Sequence, residues 1–439
     1  MDLRGRQLVM LPEEAPLHLQ SRSAMNEGRC SRCGSMMAVL AQLLPTGVYY
    51  CKQCLNFGRL TSAQVLVSQV EGTKEARQIV FKWTGQLTKY QQRISNQLVI
   101  NYQRHQHSLV WAVTGSGKTE MIFQVIAEVL KEGGRVCVAS PRIDVCRELY
   151  PRIDAVFPEE EGLLLYGDSE EGYRYSSLTI CTTHQLMHFY RAFDLLIVDE
   201  IDAFPYEGNP QLRFAVKQAL KEEGRYVYLT ATPPKKLLAE IQANFQIVKL
   251  PMRFHRRPLI VPELFFYENW YQCYTGNWRM RKLQRLLSRL IVENAVLIFC
   301  PSIAYMEKLA TKLKQLFPKQ SITDVSAQDE QREAKVQQMR NQKYRIFLTT
   351  TILERGVTFE KVSVIVMGAN HPVFSKSALV QIAGRVDRKG EFTNGRVIFF
   401  YNQQTSAIKQ AIIEIKQMNQ LAKEWLQDEV SLLSNPDCS

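Results

Sequence analysis

Short apolar runs alternate with amphipathic stretches along most of this chain from about residue 108. In the first half, the apolar runs are SLVWAV, RVCVAS, LTICTT, FDLLIVDE and RYVYLT. Each run is short enough for a buried strand, and each is followed by a helical or loop segment. The first such segment, KTEMIFQVIAEVLKE, ends at Gly133 and Gly134, which favour a helix terminus. This spacing predicts a parallel sheet covered by helices.

The same alternation restarts in the second half of the chain. Its apolar runs are AVLIFCPS, YRIFLTTT, VSVIVMGAN and GRVIFFYN, again with helical stretches between them. Residues 251–265 separate the two sets and carry three prolines, which suits a linker. We therefore expect two α/β domains, residues 76–250 and residues 266–439, the second ending in a C-terminal helix. An N-terminal tail, residues 1–28, and a small cysteine-bearing module, residues 29–75, precede them.

Composition places the chain among ordinary globular proteins, with 439 residues, 46% hydrophobic and 22% charged. Its net charge of +12 favours a polyanionic partner, nucleic acid first and an anionic membrane surface second. Charge that serves only solubility is the alternative. No apolar run approaches the ~20 residues that span a bilayer, and the N-terminus lacks the apolar stretch of a signal peptide. We therefore expect a cytoplasmic protein.

The stretch AVTGSGKTE follows a predicted strand and opens a predicted helix. It completes the pattern G-x-x-x-x-G-K-[ST] except for Ala112 in the first position. In such a loop, glycines allow backbone N–H groups to surround phosphate oxygens, the lysine reaches the β and γ phosphates, and the threonine hydroxyl binds Mg²⁺. A glycine-rich turn without a ligand is the alternative. The predicted ATP-binding residues here are Thr114, Gly115, Ser116, Gly117, Lys118 and Thr119.

Two acids, Asp199 and Glu200, end the apolar run LLIVDEID. Buried acids are costly without a cation, so we expect Asp199 to hold Mg²⁺ and Glu200 to orient and activate the attacking water. An acid-rich turn is the alternative. Upstream, Gln91 is a weaker candidate for ATP binding, because a glutamine amide can pair with adenine; an ordinary surface glutamine is the alternative.

Four cysteines near the N-terminus, Cys30, Cys33, Cys51 and Cys54, follow the pattern C-x₂-C-x₁₇-C-x₂-C. This spacing is typical of a structural Zn²⁺ site, in which four thiolates leave no open position for catalysis. A redox pair is the alternative. Basic and aromatic residues lie nearby and either grip DNA or a protein partner or form a solvated face; they are Arg29, Arg32, Lys52, Arg59, Tyr49, Tyr50 and Phe57.

Seven stretches resemble the motifs of superfamily 2 helicases, in the order which that superfamily uses. They are TGSGKT, SPR, TTH, VDEID, TATP, TTTILERGVTF and QIAGRVDR. Longer matches, SPRIDVCREL, TTHQLMHF, DEIDAFPY and TTTILERGVTF, together with cysteines ahead of the motor, more closely resemble the ComFA-type late-competence DNA-uptake ATPases. The resemblance implies two tandem RecA-like parallel-sheet domains behind a four-cysteine zinc module, with ATP bound in the cleft between those domains.

The resemblance also implies roles for individual residues. Arg385 and Arg388 would point from the second domain at the phosphates, with Gln381 at the first position of their motif. Between the two arginines, Asp387 departs from the glycine often found there, and its carboxylate could pair with Arg388. The residues expected to hold single-stranded DNA are Pro141, Arg142, Thr182, Thr183, His184, Thr350, Thr351 and Thr358. The residues expected to couple ATP to the strand are Thr230, Thr232 and Gly356.

Taken with the charge, these motifs predict an ATP-driven motor on single-stranded DNA that helps import transforming DNA. Its cofactors would be ATP, Mg²⁺ and Zn²⁺. Its partners would be the DNA-uptake channel at the inner face of the membrane, other competence proteins and further copies of itself. A replication-restart or repair helicase, and a nucleotide-gated DNA adaptor that does not move, remain alternatives.

Overall fold

The computed structural model describes residues 3–69, 71–72, 74–167, 169, 172–351, 359–387 and 394–434, with side chains to residue 427. The chain divides into two compact units. One contains Met1–Trp111 with Lys118–Leu250, and the other contains Ala112–Gly117 with Pro251–Ser439. Among the helices so described, none combines the length and the apolar character needed to cross a membrane.

The N-terminal region of the first unit is built from five short strands. They are β1 (Gln7–Met10), β2 (Gln20–Ser23), β3 (Met25–Asn26), β4 (Arg29–Cys30) and β5 (Val65–Ser68). Strand β5 pairs antiparallel with both β1 and β2, while β3 and β4 form a hairpin. Residues 1–28, expected as a tail, thus contribute two strands that pair with β5 of the cysteine module.

A seven-stranded sheet forms the rest of the first unit, in the order β12-β6-β11-β10-β7-β9-β8. Its strands are β6 (His107–Ala112), β7 (Val136–Ser140), β8 (Leu163–Leu165), β9 (Leu178–Thr182), β10 (Phe193–Asp199), β11 (Leu220–Thr230) and β12 (Phe245–Leu250). All pairs from β6 to β8 are parallel. The accompanying helices are α1 (Lys89–Gln103), α2 (Lys118–Met121), α3 (Phe123–Lys131), α4 (Ile143–Asp154), α5 (Pro210–Ala219) and α6 (Lys235–Ile241).

The cysteine module and this sheet share one hydrophobic core. A single cluster of buried side chains contains Cys30, Met37 and Leu60 of the module together with Phe189 and Phe193 beside the sheet. At one contact, Gly34 has a φ of +74° and a Cβ placed on it would lie 2.7 Å from the ring of Phe214. The module is therefore packed into the first unit and is not a separate domain.

The second unit contains a six-stranded parallel sheet in the order β13-β18-β17-β14-β16-β15. Its strands are β13 (Glu263–Phe266), β14 (Ala295–Phe299), β15 (Ile322–Val325), β16 (Ile346–Thr349), β17 (Val362–Val366) and β18 (Val397–Tyr401). Its helices are α7 (Asn277–Glu293), α8 (Ile303–Leu316), α9 (Arg332–Arg340), α10 (Lys376–Ala383) and α11 (Ser406–Ser434). Buried faces of α7 and α8 pack on this sheet.

The expected linker, residues 251–265, is fastened to the second unit along its length. Residues 263–265 belong to β13, the edge strand of the sheet. The backbone N–H of Leu259 donates to the side chain of Asn419 on α11, whose amide donates back to the carbonyl of Leu259, both at 2.8 Å. Prolines predicted a linker, but they could not show that it packs against the second domain.

Candidate nucleotide and strand site

The phosphate loop connects the end of β6 to the start of α2. Gly115 and Gly117 have φ values of +77° and +74°, in the left-handed region that glycine adopts at low cost. Ser116 and Thr119 between and after them are buried, and Lys118 is the first residue of α2. The loop therefore has the strand–turn–helix setting that the motif requires.

The acid pair lies at the carboxyl end of β10, two strands from β6 in the sheet. Asp199 is buried, and Glu200 next to it has a φ of +54° and donates its N–H to the Asp199 carboxylate at 2.8 Å. Burial, with the charge of Glu200, raises the pKa of Asp199 to about 6, although Lys118 acts in the opposite direction. Asp199, whose charged form is disfavoured by burial, lies beside a second carboxylate, and such a pair suits a divalent cation that would stabilise the charged form.

A third acid, Asp202, connects the acidic segment that follows β10 to the end of β11 through hydrogen bonds. It is buried and accepts a hydrogen bond from the Thr230 hydroxyl at 2.7 Å and another from the Thr232 hydroxyl. The N–H of Thr232 donates to the Thr230 hydroxyl at 3.0 Å. Sequence reasoning missed Asp202, although the last letter of DEID and the hydroxyls of TAT carry matching acceptor and donors.

The strand-binding candidates of the first unit come together at the same sheet edge. Ser140 ends β7 and Thr182 ends β9, and the two residues are partners in the parallel register. The N–H of Thr183 donates to the Ser140 carbonyl at 2.9 Å. Thr182, Thr183 and Pro141 are buried, whereas Arg142 and His184 are half-buried. The side chains displayed to a ligand are therefore those of Arg142 and His184.

Gln91 has a structural role in addition to any contact with a nucleotide. Its side chain accepts the N–H of Thr88 at 2.9 Å, and its own N–H donates to the Thr88 hydroxyl at 3.3 Å. This is a capping box at the start of α1, and Gln91 is buried there. The sequence TKYQ carried this signal, with threonine followed three residues later by glutamine.

In the second unit, the arginine motif lies at the end of α10. Gln381 and Arg385 are both buried, and Arg253 lies against the turn that follows the helix. Arg253 donates to the carbonyl oxygens of residues 386 and 387 at 2.8 and 3.0 Å, and to that of residue 384 at 3.3 Å. A buried cation here satisfies carbonyls at the negative end of the helix. Sequence reasoning missed Arg253 because it lies more than a hundred residues away.

Asp387 does not depend on its neighbour in sequence for a partner. Its carboxylate lies 3.7 Å from the guanidinium of Arg257. Burial raises the pKa of Asp387, and Arg257 and then Arg253 act to lower it. The partner that the sequence suggests for Asp387, Arg388, lies outside the described residues, as do Gly356 and Thr358. Thr350 and Thr351 follow the end of β16 and are half-buried.

The four cysteines of the N-terminal module form a compact buried cluster. Their sulfur atoms lie within 4.8 Å of one another, with 3.7 Å between Cys30 and Cys54 and 3.5 Å between Cys33 and Cys51. A tetrahedral ion with Zn–S bonds of about 2.3 Å would set the sulfurs about 3.8 Å apart. The cluster is therefore compatible with zinc in both donor type and spacing.

Comparison with known proteins decides the family. The competence protein ComFA of Streptococcus pneumoniae is 44% identical over 397 residues, covering 90% of each chain. The chain belongs to the ComFA family of competence proteins. The ComFA of Bacillus subtilis is 39% identical over 400 residues, which cover 90% of this chain and 86% of that relative. The family resemblance expected from the motifs is confirmed.

Two domain models match this ComFA-family chain. Residues 84–235 match the res subunit of type III restriction enzymes, and residues 278–390 match the helicase conserved C-terminal domain. Dbp5 of S. cerevisiae, bound to RNA and ADP BeF3, superposes with a TM-score of 0.54 at 14% identity, covering 76% of this chain and 92% of Dbp5. These findings confirm the two RecA-like domains and make the chain an ATP-hydrolysing helicase of superfamily 2.

Proposed function

We propose that this protein is an ATP-dependent translocase on single-stranded DNA that drives the uptake of transforming DNA during natural competence. The observation that carries the proposal is the carboxyl edge of the first sheet. There the phosphate loop, the acids after β10 and the polar ends of β7 and β9 lie along one rim. Ligands of open parallel sheets bind outside the carboxyl ends of the strands. The relatives named as competence proteins supply the physiological setting.

ATP chemistry is assigned to this rim. Lys118 binds the terminal phosphates, Thr119 and Asp199 hold Mg²⁺, and Glu200 orients the attacking water and accepts its proton. When bound, Mg²⁺ neutralises charge on the phosphates. From the second domain, Arg385 and Arg388 stabilise the charge that develops on the transferred group, and such arginines contribute about 10³–10⁵ in rate.

The strand is held by the neighbouring positions. Arg142 and His184 contact its backbone and bases, and the backbone groups near Thr182 and Thr183 contact phosphates. The carboxylate of Asp202 ties the acidic segment after β10 to Thr230 and Thr232, so a change at the nucleotide is passed along the rim. Thr350, Thr351 and Thr358 provide the second grip, which allows movement by alternating affinity.

The cysteine cluster holds Zn²⁺ in a structural role. Four thiolates fill its coordination, so the ion supplies folding energy to the N-terminal module and not chemistry. The net charge of +12 suits a protein that tracks a polyanion. In the cell, the protein works in the cytoplasm at the inner face of the membrane, with the uptake channel, other competence proteins and further copies of itself.

A genetic replacement tests the physiological assignment. A strain carrying Glu200→Gln in place of the native gene should lose transformation by added DNA and keep its resistance to DNA damage, because the variant binds ATP without turning it over. Leu55→Ala, a change at an exposed position of the module, is the matched control. Normal transformation with sensitivity to damage would point to a repair helicase and refute the proposal.

A further inference from the structure

The segment that follows the strand motif TTH is clamped by the cysteine module. This segment is a short 3₁₀ helix, Gln185–His188, directly after His184. Its end is held by Gln7, whose side-chain amide donates to the carbonyl of Met187 at 2.7 Å. All these groups belong to the first unit. The N-terminal region of the first unit therefore reaches the rim at which the DNA strand is proposed to bind.

Phe57 of the cysteine module contacts both His184 and His188. Its ring stacks on the imidazole of His184, with centroids 6.1 Å apart and an interplanar angle of 15°. The same ring meets His188 edge-on, with centroids 6.1 Å apart. Phe57 and His184 are both half-buried, so the stack is not fully covered by the protein. One face of the imidazole is thus covered by the Phe57 ring, while part of the His184 side chain remains exposed.

The position of Phe57 is itself tied to the cysteine cluster through Arg32. This buried guanidinium donates to the carbonyl of Phe57 at 3.1 Å, and to the carbonyls of Cys54 and Gly58 at 3.2 and 2.5 Å. Its Nε also donates to the sulfur of Cys54 at 3.3 Å. The turn that carries Phe57 therefore moves with the cysteine that would bind the metal.

We infer that Phe57 is a positioning residue for strand binding, which acts by holding the His184 ring in the orientation that contacts DNA. The inference rests on the proposed function, since that proposal assigns His184 to the strand. It makes the cysteine module a part of the strand-binding rim. A stack of two rings is a weak contact, and its removal corresponds to about a three- to tenfold loss of affinity.

Anisotropy of a labelled oligo(dT), titrated with the full-length protein, tests this inference. Phe57→Ala and His184→Ala should each weaken binding about three- to tenfold, and the double variant should be no weaker than His184→Ala alone. Phe57→Tyr, which keeps the ring, should restore affinity. Leu55→Ala, an exposed change on the same 3₁₀ helix, should leave it unchanged. Zinc content and thermal unfolding are measured for each variant.

The outcomes distinguish a failure of the proposed function from a failure of the inference about Phe57. If His184→Ala binds as tightly as the parent, the assignment of His184 in the proposed function is wrong. If His184→Ala weakens binding but Phe57→Ala does not, or if the two losses multiply, the inference about Phe57 is wrong. Should Phe57→Ala fail to fold, Phe57→Leu keeps the apolar bulk without the aromatic face, and the same comparison applies.

Salt dependence provides a readout that a general loosening of the module would not reproduce. Burial lowers the pKa of His184, so its contact with DNA involves a neutral ring and releases no counterion. Phe57→Ala should therefore leave the slope of log affinity against log salt unchanged. A reduced slope would mean that module cations such as Lys52 and Arg59 were lost from the complex, and would overturn the inference.

Discussion

Replacing Asp202 tests whether the acidic segment after β10 and the end of β11 are coupled. In Asp202→Ala, the hydroxyls of Thr230 and Thr232 lose a charged acceptor inside the protein. Two charge-assisted hydrogen bonds contribute about 3–6 kcal/mol together. Removing the carboxylate also relieves its burial and its repulsion of Asp199, so the net loss should be about 2–4 kcal/mol. Asp202→Asn keeps one acceptor oxygen and should lose about half as much.

The measurement is the free energy of unfolding of the intact chain in denaturant, taken from the unfolding transition whose midpoint changes in the variants. Thr232→Val is the matched control, because it removes one of the two hydrogen bonds and keeps the carboxylate. Steady-state ATP hydrolysis with and without single-stranded DNA gives a second readout, in which Asp202→Ala should lose stimulation by DNA more than basal turnover. A destabilisation below about 1 kcal/mol, comparable to a single exposed contact, would refute the reasoning.

Three further predictions concern other parts of the molecule. Arg253→Met should lower the kcat of ATP hydrolysis about 10- to 100-fold with little change in KM, because the turn that carries Arg385 loses its support. Arg253→Lys should recover part of the lost kcat, and equal losses of kcat in the two variants would contradict this prediction. Metal analysis should find one zinc per chain, and Cys51→Ala should abolish it and lower the unfolding temperature of the first unit; a stable, metal-free parent would contradict the zinc assignment. Burial, together with Arg6 and Arg32, lowers the pKa of His188 to about 4. His188 is therefore neutral in the folded protein but gains a proton near its ordinary pKa of 6.5 in the unfolded chain, so the free energy of unfolding should fall by about 2–3 kcal/mol between pH 6.5 and pH 4. In His188→Gln this part of the pH dependence should disappear, and an unchanged pH profile would show that another group is responsible.

The alternating strands and helices of both domains could be predicted because their signals are local. The run FDLLIVD, for example, is β10, and its apolar residues are all buried. The phosphate loop and the acids after β10 could also be placed, since each motif lies directly after a recognisable strand. Fold class and family are confirmed, whereas the roles of individual residues remain predictions.

Features that depend on distant partners could not be predicted. Strand β1 pairs with β5 across more than fifty residues, so its short run QLVM had no visible partner in sequence. Asp202 and Arg253 act through hydrogen bonds to residues far along the chain, and no spacing rule connects them. Thr182 and Thr183 are small polar residues after a strand, and only the packing shows that their side chains are buried.

The most direct test of the central claim is movement along a single strand powered by ATP. Displacement of streptavidin from the end of a biotinylated oligonucleotide can be followed for the parent, Glu200→Gln and Arg385→Ala. We predict that the parent hydrolyses ATP faster when single-stranded DNA is present and removes the streptavidin, while both variants bind ATP and DNA and remove none. The account would be contradicted if the parent protein hydrolysed ATP at the same rate with and without DNA and left the streptavidin in place.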